Sequence, residues 1–169
     1  MAKENNIRGV EKIEIGLPGN GVVGSSLTEF KAVVLNSLSL TGSEANEETI
    51  KTEQDDSYLS INTDSTPATS TFKLYEISGE SAVMLMGGTW LAPSKTWKAP
   101  KVAPNIYLSV VITDIAKNKI TFPYAKISAK FEGNITKGEL LSVDMTITAN
   151  TPITSNGLEK SPYEISFSA

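Results

Sequence analysis

The chain has 169 residues, 40% of them hydrophobic and 20% charged, a size and balance that suit one domain with a real core. Its net charge of −4 argues against a protein that works by neutralising nucleic-acid phosphates. Without cysteine or histidine it has no disulfide framework, no thiolate or imidazole metal site, no Cys nucleophile and no His-based triad.

The N-terminal stretch MAKENNIRGVEK is polar and carries no apolar segment of the kind a secretion signal needs. No run approaches the ~18 apolar residues that cross a bilayer, so the expectation is synthesis in a cytoplasm and no membrane. Lys12 to Ile15 then alternates charged and apolar residues, as a strand covered on one face does. GNGVVG follows at residues 19–24. Its G-x-G-x-x-G spacing, with Glu44 twenty positions beyond the last glycine, matches a dinucleotide-binding turn. That fold also needs a helix of about three turns starting at the loop and further βαβ units. SSLTEFKAVVLNSL has no helical stripe and no second unit follows, so the glycines read as a corner between two strands.

Phe30 to Leu40, rich in Val and Leu, reads as the next strand. From about residue 42 to residue 70 the chain is polar and acidic. Tyr58, Leu59 and Ile61 suggest a short extended ribbon there, and the remainder reads as a long loop. Ordered loops of this length usually bind something. Glu44 to Asp56 holds six acids against Lys51, a net of −5. Low apolar content predicts that this loop is mobile in the free subunit. Asp55-Asp56 lacks the oxygen-rich spacing of a Ca²⁺ loop and reads as a solvated acidic turn.

Thr71 to Ile77 alternates again. Ser78 can cap a short helix, with Glu80 at its positive end, Ala82 to Met86 continuing it and Gly87-Gly88 ending it. Two turns are too few to stand alone, so Val83, Leu85 or Met86 must pack on a sheet. The run Trp90 to Trp97, with Lys95, Lys98 and Lys101, pairs aromatics with cations as single-strand binders do. Its plainer reading is a Pro-punctuated loop that tryptophan anchors to the core. Lys95 to Lys137 carries eight lysines against Asp114 and Glu132, a net of +6, so the chain is electrically polarised.

Ile106 to Thr113, Lys119 to Phe131, Leu140 to Thr148 and Tyr163 to Phe167 complete seven strand-like segments. Asn134-Ile135-Thr136 is a glycosylation sequon by sequence and reads as a chance match. A symmetric turn at EGNITKG would pair residues whose numbers sum to 270: Ala125 with Met145, Ile127 with Val143, Ala129 with Leu141. The opposite face would then pair Lys126 with Asp144, Ser128 with Ser142 and Tyr124 with Thr146. The fold expected is all-β, a β-sandwich or partly closed barrel with one short flanking α-helix, in a single domain 1–169.

Four stretches carry a family likeness: IRGVEKIEIGLPGNGVVGSSLTEF, ETIKTEQDDSYLSINTDSTPATSTFKLYEIS, the short helix ending in LMGGTW, and PYAKISAKFEGNITKGELLSVDMTITANTP. Through them the chain resembles the tail tube (major tail) proteins of long-tailed bacteriophages. The resemblance implies a structural virion protein, made in the host bacterial cytoplasm, with six copies per ring and rings stacked into a tube. Its partners would be itself, other tail proteins (tape measure, tail completion, distal tail) and DNA as non-specific cargo in the lumen. No cofactor and no catalysis are implied. On this reading Glu44, Glu47, Glu48, Glu53, Asp55 and Asp56 would reach a neighbouring subunit or ring. Asp144, Thr146 and Thr148 would line the channel, on a face that also holds Lys126 and Lys130 where an acidic lumen would be expected. The alternative is a non-catalytic carbohydrate-binding β-sandwich module using Trp90, Trp97 and Tyr107 as its platform. An exported fibre subunit would need a signal sequence.

Overall fold

The computed structural model describes residues 6–168; residues 1–5 and 169 of the expected domain lie outside the described residues. In chain order the elements are β1 (Lys12–Gly16), β2 (Leu27–Phe30), β3 (Ser39–Thr41), β4 (Glu44–Ile50), β5 (Leu59–Thr66), β6 (Thr69–Leu74), α1 (Gly79–Met86), β7 (Thr89–Leu91), β8 (Thr96–Lys98), β9 (Ile106–Thr113), β10 (Lys119–Glu132), β11 (Ser142–Ala149) and β12 (Glu164–Ser166). The fold is all-β with one short helix. Eight strands form the main sheet in the order β2-β1-β9-β10-β11-β6-β3, with β12 on β10; β4-β5 and β7-β8 are separate two-stranded ribbons.

Period-2 patterning builds the main sheet. Ile13 and Ile15 of β1, Phe72 and Leu74 of β6, and Val143, Met145 and Ile147 of β11 all enter one core, while the residues between them face outward. Strand β9 departs from the pattern, because Leu108 to Thr113 are buried without a break. Neighbours β1 and β10 cover its edges, and its second face is buried as well, with Ser109 Oγ accepting from Gly24 N–H of the glycine turn. Long β10 accommodates Pro123 at a bulge between Phe122 and Ala125, where no ladder N–H is needed. The freed carbonyl of Pro123 accepts a 2.6 Å hydrogen bond from buried Ser109 Oγ.

The sheet does not close into a barrel. Its two ends are tied by a short seam instead: Val33 bridges Leu74, Val34 N–H donates to Lys73 O at 2.9 Å, and Tyr75 N–H donates to Ala32 O at 3.1 Å. This seam corrects the single strand expected over Phe30 to Leu40. Ala32 and Asn36 both sit in the left-handed region (φ 58° and 59°), which breaks the segment into β2, a turn and β3.

The helix forms as the sequence predicts. Ser78 caps it by accepting from Ser81 N–H at 3.0 Å, and Gly87 ends it at φ 74° with its N–H on Val83 O. It buries Ala82, Leu85 and Met86, whereas Val83 stays half-exposed.

The β10–β11 register differs from expectation by four residues. Partners sum to 274: Ala129 faces Met145, Ile127 faces Ile147, Lys126 faces Thr148 and Ser128 faces Thr146. Lys130, not Lys126, lies opposite Asp144, and Leu141 falls outside the strand. The cause is the connection. Residues 133–141 form a loop with its own bridge between Thr136 and Glu139, longer than a symmetric turn. A shift by an even number keeps every side chain on its face, so the apolar wall survives intact.

Candidate functional site

Most of the acidic stretch is strand and not loop. It folds into the β4–β5 ribbon, in which Glu44 pairs with Thr66, Glu48 with Ile61 and Ile50 with Leu59. An irregularity beside Asn46 places one extra residue on β5. Every residue from 39 to 67 is exposed, whereas Thr69 and Ser70 already belong to β6 in the main sheet. Alternation assigns the ribbon two faces. One carries Glu44, Asn46, Glu48 and Ile50 with Leu59, Ile61 and Asp64 opposite; the other carries Glu47 and Thr49 with Asn62 and Ser60 opposite. The six predicted acids are therefore not gathered at one point. Glu44 and Glu48 share a face, Glu47 takes the other, and Glu53, Asp55 and Asp56 stand at the tip. Asp55 shapes that tip, since its carboxylate accepts from Ser57 N–H at 2.8 Å and its N–H donates to Thr52 Oγ1 at 3.1 Å.

The extended ribbon suggested by Leu59 and Ile61 is β5, whereas Ile50, which shares their face, escaped the sequence reading. Ile50, Leu59 and Ile61 are 41, 47 and 39% exposed and lie against no core residue. The sequence signal was present as period-2 alternation, Glu44-x-Asn46-x-Glu48-x-Ile50 followed by Leu59-x-Ile61.

The predicted channel residues do share a surface. Three rows cross β10, β11, β6 and β3 on the face away from the core. The first is Lys130, Asp144 and Lys73; the second is Ser128, Thr146, Thr71 and Ser39; the third is Lys126, Thr148, Thr69 and Thr41. Two of these rows are almost wholly hydroxyls, and Ser39 and Thr71 hydrogen-bond at 2.6 Å. A depression of about 330 Å³ lies over them, lined by Ser37, Thr71, Lys73, Ser128, Lys130 and Asp144 among others. Asp144 pairs with Lys73 at 3.2 Å and Lys130 with Glu132 at 2.6 Å. The hydrogen bond from Lys130 holds the Glu132 carboxyl below its ordinary range, and the same contact raises the Lys130 ammonium. Three lysines against Asp144 and Glu132 leave this face nearly neutral.

The glycine turn closes on itself. Gly19 N–H donates to Val22 O at 2.9 Å, Gly21 N–H to Gly19 O at 3.0 Å and Gly24 N–H to Ser109 Oγ at 3.3 Å. The amides that would point at a pyrophosphate in a dinucleotide site are spent within the fold. Asn20 hydrogen-bonds Ser155 in both directions, so the turn also braces the C-terminal loop.

Trp90 and Trp97 face each other across the β7–β8 ribbon. Trp90 covers Gly79 at the start of α1; Trp97 packs edge-on against Phe131, 5.7 Å between centroids, and donates Nε1–H to Gly87 O at 2.9 Å. Both are anchors. Tyr107 lies on the opposite face of the sheet, stacked on Tyr124 at 5.1 Å, so the three aromatics of the carbohydrate reading do not form one platform. Among the described residues no group of three acidic side chains could hold a metal ion, and no helix is long and apolar enough to cross a membrane. No protein-family model matches this chain, and no curated protein matches it.

Proposed function

We propose that the chain is a structural, non-catalytic subunit that self-assembles into stacked, hexameric rings forming a bacteriophage tail tube, through which DNA passes. The observation that carries this reading is the β4–β5 ribbon. Isolated two-stranded ribbons are marginally stable in water. This one sets three large apolar side chains in solvent, an arrangement that suits a surface covered on assembly. The family resemblance supplies the kind of assembly; the ribbon supplies the need for one. The hydroxyl rows around Thr146 and Thr148 suit a channel wall, because near-neutral hydroxyls offer DNA neither a phosphate clamp nor base-reading groups. In the virion the tube would meet the tape-measure, completion and distal tail proteins at its length and ends.

Sedimentation velocity over a concentration series, with negative-stain microscopy of the heaviest fractions, tests the proposal. Rings or tubes of uniform width are expected. A single monomeric species at every concentration would count against it.

A further inference from the structure

Two ribbons stand apart from the main sheet, and they are opposite in character. The β4–β5 ribbon, residues 44–66, holds seven acids and Lys51, a net of −6. The β7–β8 ribbon and the irregular segment that leaves it, residues 89–102, hold Lys95, Lys98 and Lys101 and no acid, a net of +3. Neither set is neutralised at home. Among the described residues every ion pair lies elsewhere: Lys12–Glu14, Lys31–Glu29, Lys73–Asp144, Lys117–Glu11 and Lys130–Glu132. Of the eight lysines between Lys95 and Lys137, Lys117 and Lys130 are thus already engaged, and three of the other six lie on this hairpin and the bend just after it.

Polarity matches as well as charge. With Trp90 and Trp97 turned inward, the β7–β8 ribbon presents Lys98 opposite Thr89 and Leu91 opposite Thr96 on its outer face. Val102, just beyond, is 78% exposed. This is a basic surface studded with apolar groups. The first face of the β4–β5 ribbon is the converse, Ile50, Leu59 and Ile61 interleaved with Glu44, Glu48 and Asp64. Lysine stems can lie along the isoleucines while their ammonium groups reach the carboxylates.

We infer that the apolar, acidic face of the β4–β5 ribbon docks on the outer face of the β7–β8 hairpin of a second copy of this chain. The inference rests on the tube reading and assigns the two surfaces that would join its subunits. The contact is heterologous, one patch meeting a different patch, so it propagates without using itself up. Charge orients the encounter and apolar burial holds it.

The test is a charge exchange in the full chain. E48K/D64K and K98E/K101E alter exposed side chains, and circular dichroism should report folded subunits for both. Each variant alone should assemble roughly tenfold more slowly than wild type at low salt, with the gap narrowing as salt rises. The chain carrying all four changes should recover most of the lost rate. Because the protein has no cysteine, mixing I61C subunits with V102C subunits and adding a short bismaleimide should give a cross-linked dimer absent from either alone. I135C, in the exposed β10–β11 loop, is the control partner for I61C and should not cross-link. If wild type assembles while single reversals grow at its rate, or while the four-fold exchange fails to recover, the docking is wrong and the tube reading stands. If wild type never assembles, both fall.

Discussion

Replacing Gly24 by alanine should unfold the glycine turn from within. A Cβ at Gly24 would sit 1.7 Å from the carbonyl oxygen of Leu17 and 2.9 Å from its carbon. Ordinary contact needs about 3.4 Å, so backbone would have to move by more than an ångström. Neither side is free to do so. Leu17 directly follows β1, whose Gly16 pairs with both Leu27 and Ser109, and Gly24 N–H is held by Ser109 Oγ. Backbone displacement in a packed site costs about 2–4 kcal/mol. At this chain length that lowers the melting temperature by roughly 5–15 °C. Gly138 supplies the contrast, because nothing lies within 4 Å of its added Cβ and its backbone is not left-handed. G138A should therefore be neutral or stabilising by up to about 1 kcal/mol, through the unfolded chain alone. Thermal melts of the two variants by circular dichroism, beside wild type, decide the matter. A G24A melt within a degree of wild type would refute the account of this turn as a closed structural corner.

Three other outcomes are expected. Limited proteolysis of free subunits should cut first within residues 44–66, where every side chain is exposed, and assembled material should resist there; equal protection in both forms would contradict the ribbon's role. S78A removes the hydroxyl that accepts from Ser81 N–H and should cost about 1 kcal/mol, read as a lower urea midpoint with an unchanged slope. Burial raises the Asp114 carboxyl, but hydrogen bonds from the Asn118 side chain and from the amides of Asn118, Arg8 and Ala116 outweigh it and hold the group below its ordinary value. A lowered carboxylate stabilises the fold above its unfolded value and loses that contribution as pH falls through the folded one. D114N should therefore lose stability less steeply below about pH 4 than wild type, and its Arg8 and Asn118 amides should exchange faster at neutral pH.

What was legible in the sequence followed from short-range physics. The strand at Thr71 and the Ser78 cap were readable because period-2 alternation and a hydroxyl three residues before an amide are local patterns. The break at Ala32 was not readable. Alanine carries no signal for a left-handed backbone, and that conformation is held by the long-range seam to Lys73 and Tyr75. The β7–β8 ribbon hid for a similar reason. Ala-Pro-Ser-Lys between two short Trp-centred segments looks like loop, and the pairing of Trp90 with Trp97 is favoured by the helix and core they cover. Composition misjudged residues 44–66 most, since an acidic, polar stretch predicts loop while its alternation predicts strand, and the alternation governs.

The register error and the charge reading show what a linear reading keeps and what it loses. A slip of four residues left Asp144, Thr146 and Thr148 on the polar face, because side-chain direction depends only on parity. It changed every partner. Asp144 exchanged an expected cross-strand Lys126 for Lys130 on one side and a salt bridge to Lys73 on the other, so this carboxylate is neutralised within the subunit. The same loss affects the +6 summed from Lys95 to Lys137, which cannot see that Glu11, far outside the span, holds Lys117. Charge summed along the chain measures what a subunit could offer, whereas charge left after folding measures what it can present to another. On the second measure the acids of the β4–β5 ribbon gain weight, since no ion pair among the described residues involves them. Of the six lysines left in no ion pair between Lys95 and Lys137, Lys95, Lys98 and Lys101 lie nearest one another in the chain. On the proposed tube reading, the nearly neutral face around Thr146 would serve passage and the two oppositely charged ribbons would serve assembly.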